Sequence, residues 1–130
     1  MKKGLIITII VAVLIVAVFI PFKMTGSTTK NKINDPFVTC LAEKGAKMYG
    51  AYWCSHCNNQ KEAFGSSFDL FNSLGGYVEC DPKGKNAQPA KCEEAGILGY
   101  PTWIINGQVY EGEQSLSRLS AISECDLNEN

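Results

Sequence analysis

Two cysteines and the only histidine of the chain lie within "AYWCSHCNNQ", residues 51–60. Cys54 and Cys57 are separated by two residues, and His56 lies between them. A thiol–disulfide exchanger needs an attacking thiolate, a second thiol that resolves the mixed disulfide, and one exposed sulfur. The spacing fits that chemistry, but it also occurs in zinc sites and in structural disulfides. The pair by itself therefore leaves a redox dithiol, half of a metal site and a structural disulfide open.

The elements on either side of the pair determine how the sulfurs are presented. The segment "AKMYGAYW" (46–53) predicts a buried strand, and the pattern from 55 to about 74 predicts a helix. Cys54 would then lie at a strand-to-helix junction, where the helix N-terminus stabilises a thiolate. Cys57, one turn later, would point inward and attack second. His56 supplies a cation when protonated, which favours the reduced form and makes the disulfide more oxidising.

The rest of this region predicts alternating helices and strands. The predicted elements are a helix capped by Asp35 and ended by Gly45, a kink or break at Gly65 in the helix after the cysteines, a strand at 76–80, a loop at 81–89, a helix at 90–96, a hairpin at 101–112 that turns at Asn106-Gly107, and a helix from Ser115 to about Glu124. The order α-β-α-β-α-β-β-α indicates an α/β fold in one domain.

A second motif, "GILGYPTWIING" (96–107), follows the cysteine pair. Together with "AYWCSHC" it resembles the thioredoxin superfamily, which has W-C-x-x-C at the end of a strand and G-x-P-T before a hairpin. The resemblance covers about residues 37–125. It implies a minimal thioredoxin-like fold, in which a central mixed sheet is flanked by helices.

The same resemblance implies how the site is built. Pro101 would be cis and would lie against Cys54 and Cys57. A cis proline exposes the backbone of Tyr100, which can then pair with an extended substrate chain. Tyr100, Pro101 and Thr102 are therefore predicted to form a substrate-binding loop.

A closer resemblance is to the thioredoxin-like domain associated with bacterial and plant vitamin K epoxide reductase homologues. It is carried by "CLAEKGAKMYGAYWCSHCNNQKEAFGSS", "YVEC", "KC", "AGILGYPTWIINGQ" and "EGEQSLSRLS". It implies that Cys54 and Cys57 form the exchanging dithiol, reoxidised by a separate membrane quinone reductase of this type. It also implies a disulfide between Cys80 and Cys92. The family's motif is usually C-P-H-C, and Ser55 replaces the proline here.

One departure from thioredoxin bears on the direction of electron flow. Thioredoxins keep a buried aspartate on the strand before the motif, and Met48 stands at that place. With no carboxylate there, and with His56 in the motif, the sequence favours an oxidant or isomerase over a general reductant. A thiol reductant shares every motif and stays an alternative.

Four further cysteines lie outside the motif. A Cys80–Cys92 disulfide would close the 81–91 loop and stabilise the fold by about 3 kcal/mol in the chain-entropy model. The same pair could instead relay electrons. Cys40 and Cys125 lie in the first and last predicted helices, and either a disulfide or two buried thiols fits their positions.

The apolar run "LIITIIVAVLIVAVFIPF" (5–22) predicts a transmembrane signal anchor. Its 18 residues would span roughly 27 Å as a helix. A cleaved signal peptide is the alternative, but no small-x-small site follows the run. Lys2 and Lys3 place the tip (1–4) in the cytoplasm and the catalytic domain outside, in a periplasm, at the cell exterior or in an equivalent lumen. All six cysteines follow this segment, which agrees with an oxidising compartment.

The regions outside the domain and the net charge complete the expectations from the sequence. Residues 23–36 predict a linker and 126–130 a tail, and the formal net charge of -1 gives no electrostatic reason to expect nucleic acid binding. We therefore expect a thiol–disulfide oxidoreductase without a cofactor that acts on cysteine-containing exported proteins. A metal site built from Cys54, His56, Cys57 and one distant cysteine, and a binding module with inert cysteines, remain as alternatives from other classes.

Overall fold

The structure is a computed structural model that describes residues 35–127. This part of the chain contains α1 (Asp35–Glu43), β1 (Lys47–Gly50), α2 (Ser55–Phe64), α3 (Ser67–Ser73), β2 (Tyr77–Glu79), α4 (Pro89–Glu94), β3 (Thr102–Ile105), β4 (Gln108–Glu111) and α5 (Leu116–Ser123). The predicted order of helices and strands is confirmed, with the helix after the motif divided into α2 and α3.

The four strands form one mixed sheet in the order β2-β1-β3-β4. β1 and β2 are parallel, because α2 and α3 carry the chain back to the same edge, and Gly50 pairs with Glu79. β3 is antiparallel to both β1 and β4. The predicted turn of the β3–β4 hairpin is confirmed: Asn106 and Gly107 have φ angles of 51° and 75°, as a type I′ turn requires.

Two helix boundaries illustrate how local chemistry sets the elements. α1 begins at Asp35, so the last two residues of the predicted 23–36 linker belong to the helix. Pro36 is compatible with this first turn, where its missing N–H would have no helical partner. α2 ends before Gly65, whose φ of +57° is incompatible with a continuing helix. The predicted break at Gly65 is therefore confirmed.

Aromatic rings from α2, α3 and β3 form the centre of the core. Phe64, Phe71 and Trp103 are fully buried, and their ring centroids lie 5.6 to 5.9 Å apart. Phe68, on the same predicted helical face, is partly buried and packs edge-on against Tyr77 at 5.5 Å. Burial of each such side chain contributes about 1.5–3 kcal/mol, so this cluster holds α2 and α3 against the sheet.

A buried amide fixes α2 in a second way. Gln60 is only 2% exposed, and its Oε1 accepts hydrogen bonds from the Gln114 backbone N–H at 2.7 Å and the Trp103 indole at 3.3 Å. Its Nε2 donates to the Gln114 carbonyl at 3.0 Å. The helix that begins beside the cysteine pair is thus tied both to β3 and to the segment before α5.

Two disulfides join distant parts of the fold. Cys40–Cys125 links α1 to the segment after α5 across 85 residues, and Cys80–Cys92 links the end of β2 to α4 across 12. The structure resolves the alternative left open for Cys40 and Cys125, which are bonded rather than free. Cys80 and Cys92 are paired as the family resemblance implied.

Several predicted regions lie outside the described residues, namely the tip (1–4), the membrane segment (5–22), the linker up to residue 34 and the last three residues of the tail. Between residues 35 and 127, no helix is both long and apolar enough to cross a bilayer.

Removing the two disulfides should lower stability unequally. The chain-entropy model gives about 4.5 kcal/mol for the 85-residue closure and about 3 kcal/mol for the 12-residue one. We expect Cys40→Ala/Cys125→Ala to lower the free energy of unfolding more than Cys80→Ala/Cys92→Ala does. Urea unfolding of both double variants beside the unaltered chain measures this, and the reverse order would contradict it.

Candidate active site

The cysteine pair lies where β1 passes into α2. Cys54 is the N-cap residue of α2, and its Sγ accepts a hydrogen bond from the backbone N–H of Cys57 at 3.2 Å. A helix N-terminus leaves N–H groups without helical partners and carries partial positive charge. The predicted junction is confirmed, and the sulfur of Cys54 occupies the position where a thiolate is best stabilised.

The two sulfurs differ in exposure but lie close together. Cys54 is 7% exposed and Cys57 is fully buried, and their Sγ atoms are 2.6 Å apart. Burial, followed by the hydrogen bond to Cys54, raises the pKa of Cys57 to about 12. Cys57 is therefore a protonated thiol at neutral pH. The arrangement gives one sulfur near the surface and a second directly behind it.

A cleft of about 540 Å³ opens beside Cys54. It is lined by Trp53, Cys54, Ser55, His56, Leu98, Gly99 and Tyr100. The rings of Trp53 and Tyr100 meet edge-on at 6.3 Å, and the Trp53 indole donates to Asp81 at 2.8 Å. Trp53 is 60% exposed and Leu98 is 97% exposed, so the rim of the cleft is apolar and accessible.

The predicted substrate-binding loop lies between the Cys54 cleft and a second groove. The Tyr100–Pro101 peptide bond is cis, as the resemblance implied. Tyr100 lines both the Cys54 cleft and a neighbouring groove of about 370 Å³, whereas Pro101 and Thr102 line only the groove. Thr102 is buried and donates its hydroxyl to the Gly99 carbonyl at 2.8 Å, which ties the loop to the start of β3.

His56 has a partner that the sequence did not reveal. Its Nδ1 lies 2.5 Å from Oε1 of Glu113, which also accepts a hydrogen bond from Asn59 at 3.2 Å. The His56 contact is the main cause that holds the pKa of Glu113 below its ordinary value. The His56 ring is 70% exposed. Glu113 is 57 residues from His56, and no local pattern connects the two positions.

A buried carboxylate lies on the strand next to β1. Met48 is fully buried and carries no charge, but Glu79 on the neighbouring strand pairs across the sheet with Gly50. Cys57 Sγ lies 3.0 Å from the point that a Cβ on Gly50 would occupy. The lack of a carboxylate at Met48 therefore does not leave the pair without one nearby. Sequence analysis did not single out Glu79, although an acidic residue inside the predicted strand 76–80 was a signal that could have done so.

Glu79 is 4% exposed and is fully engaged by its neighbours. Its Oε2 accepts from the Tyr77 hydroxyl at 2.8 Å, and its Oε1 accepts from the backbone N–H groups of Tyr52 and Asp81 at 3.2 and 3.0 Å. Burial, then the bond to Glu79, raises the pKa of Tyr77 well above its ordinary value. Tyr77 therefore stays a neutral phenol.

The structure also bears on the other cysteines and on the alternative of a metal site. Cys80 and Cys92 are each 5% exposed and form a small cluster with Val78. With these two and the remaining pair in disulfides, Cys54 and Cys57 are the free thiols of the described region. Across residues 35–127, no group of three or more His, Cys, Asp or Glu side chains is arranged to hold a metal ion.

Three features of the structure are those of a thioredoxin-like protein. They are a mixed sheet flanked by helices, a CxxC pair at the start of a helix, and a cis-proline loop that reaches the same cleft. No protein-family model matches the chain. Over 103 residues the chain is 44% identical to the thiol-disulfide oxidoreductase LTO1 of Arabidopsis thaliana, covering 74% of this chain and 27% of that protein. The chain thus spans about a quarter of the length of this curated relative. The similarity supports a redox family and a thiol–disulfide oxidoreductase activity.

The two motif cysteines should react very differently with an alkylating reagent. At pH 7 a thiol with a pKa of about 12 is a thiolate in about one molecule in 10⁵, and Cys57 is also shielded by Cys54. We expect a short pulse of iodoacetamide on the reduced native chain to label Cys54 at least about 100-fold faster. Peptide mass spectrometry measures this, with the urea-denatured chain as control. Equal labelling of Cys57 would contradict it.

Proposed function

We propose that the chain is a membrane-anchored, extracytoplasmic thiol–disulfide oxidoreductase that forms or isomerises disulfides in exported proteins. One observation carries the chemistry: Cys54 Sγ is the N-cap acceptor of α2 beside an open cleft, and Cys57 Sγ lies 2.6 Å behind it. Such a pair can be attacked from outside at one sulfur only. The second sulfur is close enough to complete the exchange.

The reaction follows from this order of exposure. A substrate thiolate attacks Cys54 of the Cys54–Cys57 disulfide, and Cys57 is released and takes up a proton. A second substrate thiolate then attacks the substrate sulfur of the mixed disulfide. The substrate leaves with a disulfide, and the two electrons remain on Cys54 and Cys57 as a dithiol. Cys54, at the N-cap, stays the outward-facing sulfur throughout.

The cleft suits an unfolded or extended substrate segment. Trp53, Leu98 and Tyr100 give it an apolar rim next to the sulfur. Apolar side chains surround cysteines in unfolded chains, since these cysteines are mostly destined for burial. This accessible apolar rim therefore favours cysteine-containing exported proteins over one small-molecule substrate.

The location and the partner extend the proposal beyond the described residues. The apolar run 5–22, Lys2 and Lys3 support a single-pass anchor with the N-terminus in the cytoplasm. The partner would be a separate membrane quinone reductase of the vitamin K epoxide reductase type, which takes the electrons from the reduced dithiol. Holding both proteins in one bilayer raises their effective concentration. No cofactor on this chain takes part.

The reduction potential of Cys54–Cys57 tests the direction of the reaction. For an oxidant we expect a value nearer the about -120 mV of strong periplasmic oxidants than the about -270 mV of thioredoxin. Equilibration of the full-length chain in glutathione buffers, with thiol trapping at each ratio, measures it. A value at or below that of thioredoxin would contradict disulfide formation and establish the reductant alternative.

A comparison of two single variants isolates the contribution of His56 to the reduction potential. His56→Gln removes a side chain that supplies positive charge beside the pair when it is protonated, so the potential should fall by about 30 mV, a tenfold change in the equilibrium constant. Ser55→Ala, an equally exposed change in the same motif, should leave the potential within about 10 mV on that scale. Equal shifts in both variants would show that His56 has no specific role.

A further inference from the structure

The Cys54 cleft and the second groove form one continuous surface around the cis-proline loop. Residues 98–100 line both of them, whereas Cys54 lines only the cleft and Glu111 lines only the groove. A substrate whose cysteine meets Cys54 can therefore extend its neighbouring residues along the groove. What the groove offers those residues decides which substrates are favoured by the proposed function, on which this inference rests.

The second groove has room for an extended chain close to its backbone. A Cβ added at Gly99 or at Gly112 would meet no atom within 4 Å beyond its own chain neighbours. The groove wall is held in place, because the Gly112 N–H donates to the Pro101 carbonyl at 2.8 Å and the Thr102 hydroxyl donates to the Gly99 carbonyl. The two glycines thus leave open space beside a fixed loop, where a bound chain can approach the main chain closely.

Among the described residues that line the second groove, Glu111 alone is charged. It is the last residue of β4 and is exposed. Its backbone carbonyl accepts a hydrogen bond from Gln114 Nε2 at 3.0 Å, which holds the main chain in place. Within residues 35–127 its carboxylate has no hydrogen-bond or ion-pair partner. An unpaired negative charge therefore lies at the groove.

The charged side chains nearby leave this carboxylate uncompensated. Glu113, two residues along, pairs with His56. Arg118 lies over the Tyr110 ring at 6.0 Å, and strand alternation puts Tyr110 and Glu111 on opposite faces of β4. The described residues that line the cleft and the groove include no lysine and no arginine. A cationic substrate side chain would meet a free carboxylate there, and an anionic one would be repelled.

Strand pairing sets how far Glu111 lies from the reacting cysteine of a substrate. Glu111 pairs with Thr102 across the hairpin, and paired strands lie about 4.8 Å apart. Tyr100, whose backbone is predicted to pair with substrate, precedes Thr102 by two residues, at most about 7 Å of extended chain. The Cα atoms of Glu111 and Tyr100 are thus roughly 8 Å apart, which two to three extended residues would span.

We propose that Glu111 selects substrate segments that carry lysine or arginine two or three residues from the reacting cysteine, on the side that enters the second groove. The carboxylate favours docking of such a segment, and the exchange at Cys54 itself is unchanged. Charges at the rim of an interface act mainly on association and on its salt dependence. Glu111 does not line the cleft that holds the sulfur, so it is a specificity residue and not a catalytic one.

A carboxylate that is merely solvated makes a different prediction. General attraction of a cationic peptide to an acidic domain would not depend on where in the peptide the charge lies. Removing any exposed carboxylate would then weaken it equally. Selection at the groove depends instead on the side and the spacing of the charge, and on Glu111 in particular.

Reaction of the oxidised full-length chain with short peptides measures this preference at pH 7. Each peptide has one cysteine and carries lysine, glutamine or glutamate two, three or six residues before or after it. Acid quenching and alkylation in denaturant count the chains in which the peptide sulfur has bonded to Cys54 and released Cys57. The variants are Glu111→Gln and Glu111→Lys. The matched control is Glu93→Gln, which removes an exposed carboxylate on α4 that lines neither surface.

The readout is the ratio of the initial rates with the lysine and glutamate peptides. In Glu111→Gln this ratio should be about fivefold lower than in the unaltered chain and Glu93→Gln, within the range of an exposed ion pair. In Glu111→Lys it should be lower again. The fall should occur at spacings of two and three residues and on one side of the cysteine. Comparing chains cancels the different reactivities of the peptide thiols. In 1 M salt the difference between chains should shrink below about twofold.

Two results would overturn the selection. One is a ratio that is the same in Glu111→Gln as in Glu93→Gln. The other is a fall that is equal on both sides of the cysteine and at six residues, which general attraction would produce. A failure of the proposed function looks different, because no peptide, the glutamine ones included, would then open the disulfide of the unaltered chain. Should Glu111→Lys not fold, Glu111→Gln still decides the question.

Discussion

The hydrogen bond from the Cys57 N–H to Cys54 Sγ, at 3.2 Å, sets the geometry on which the rest of the site depends. It makes Cys54 both the cap of α2 and the outward sulfur of the pair. One helical turn then carries Cys57 into the core, where burial keeps it protonated. Whatever shifts the start of α2 would therefore change the order in which the sulfurs react.

Much of the remaining structure holds this helix start in place. The aromatic cluster around Trp103 packs α2 against the sheet, and Gln60 ties the same helix to the segment before α5. The Cys80–Cys92 disulfide closes the loop that covers Glu79. Stability and chemistry are thus coupled, because the elements that bury Cys57 also bury the carboxylate near it.

Sequence reasoning went furthest where the determining interactions are local. The CxxC pair, the break at Gly65 and the Asn106-Gly107 turn each depend on a few adjacent residues, and each was predicted. The cis Pro101 and the Cys80–Cys92 pairing came from resemblance to a family rather than from any local rule. A run of apolar residues was enough to predict β1 but not its neighbours in the sheet.

Interactions between distant residues could not be predicted in this way. The contact of Glu113 with His56 and the Cys40–Cys125 bond join positions 57 and 85 residues apart, so they depend on how the elements pack. Glu79 was missed for a related reason. Its position follows from the parallel pairing of β1 with β2, which sets Glu79 opposite Gly50. The sequence does not specify this register by itself.

Trapping the mixed disulfide tests the central claim, that Cys54 exchanges with substrate and Cys57 completes the exchange. In Cys57→Ala the second step is absent, so Cys54 should hold a reduced, unfolded exported protein in a covalent complex after mild oxidation. Non-reducing electrophoresis and peptide mass spectrometry would locate the bond, and Cys54→Ala should form none. A complex formed through another cysteine, or equally by Cys54→Ala, would contradict this account.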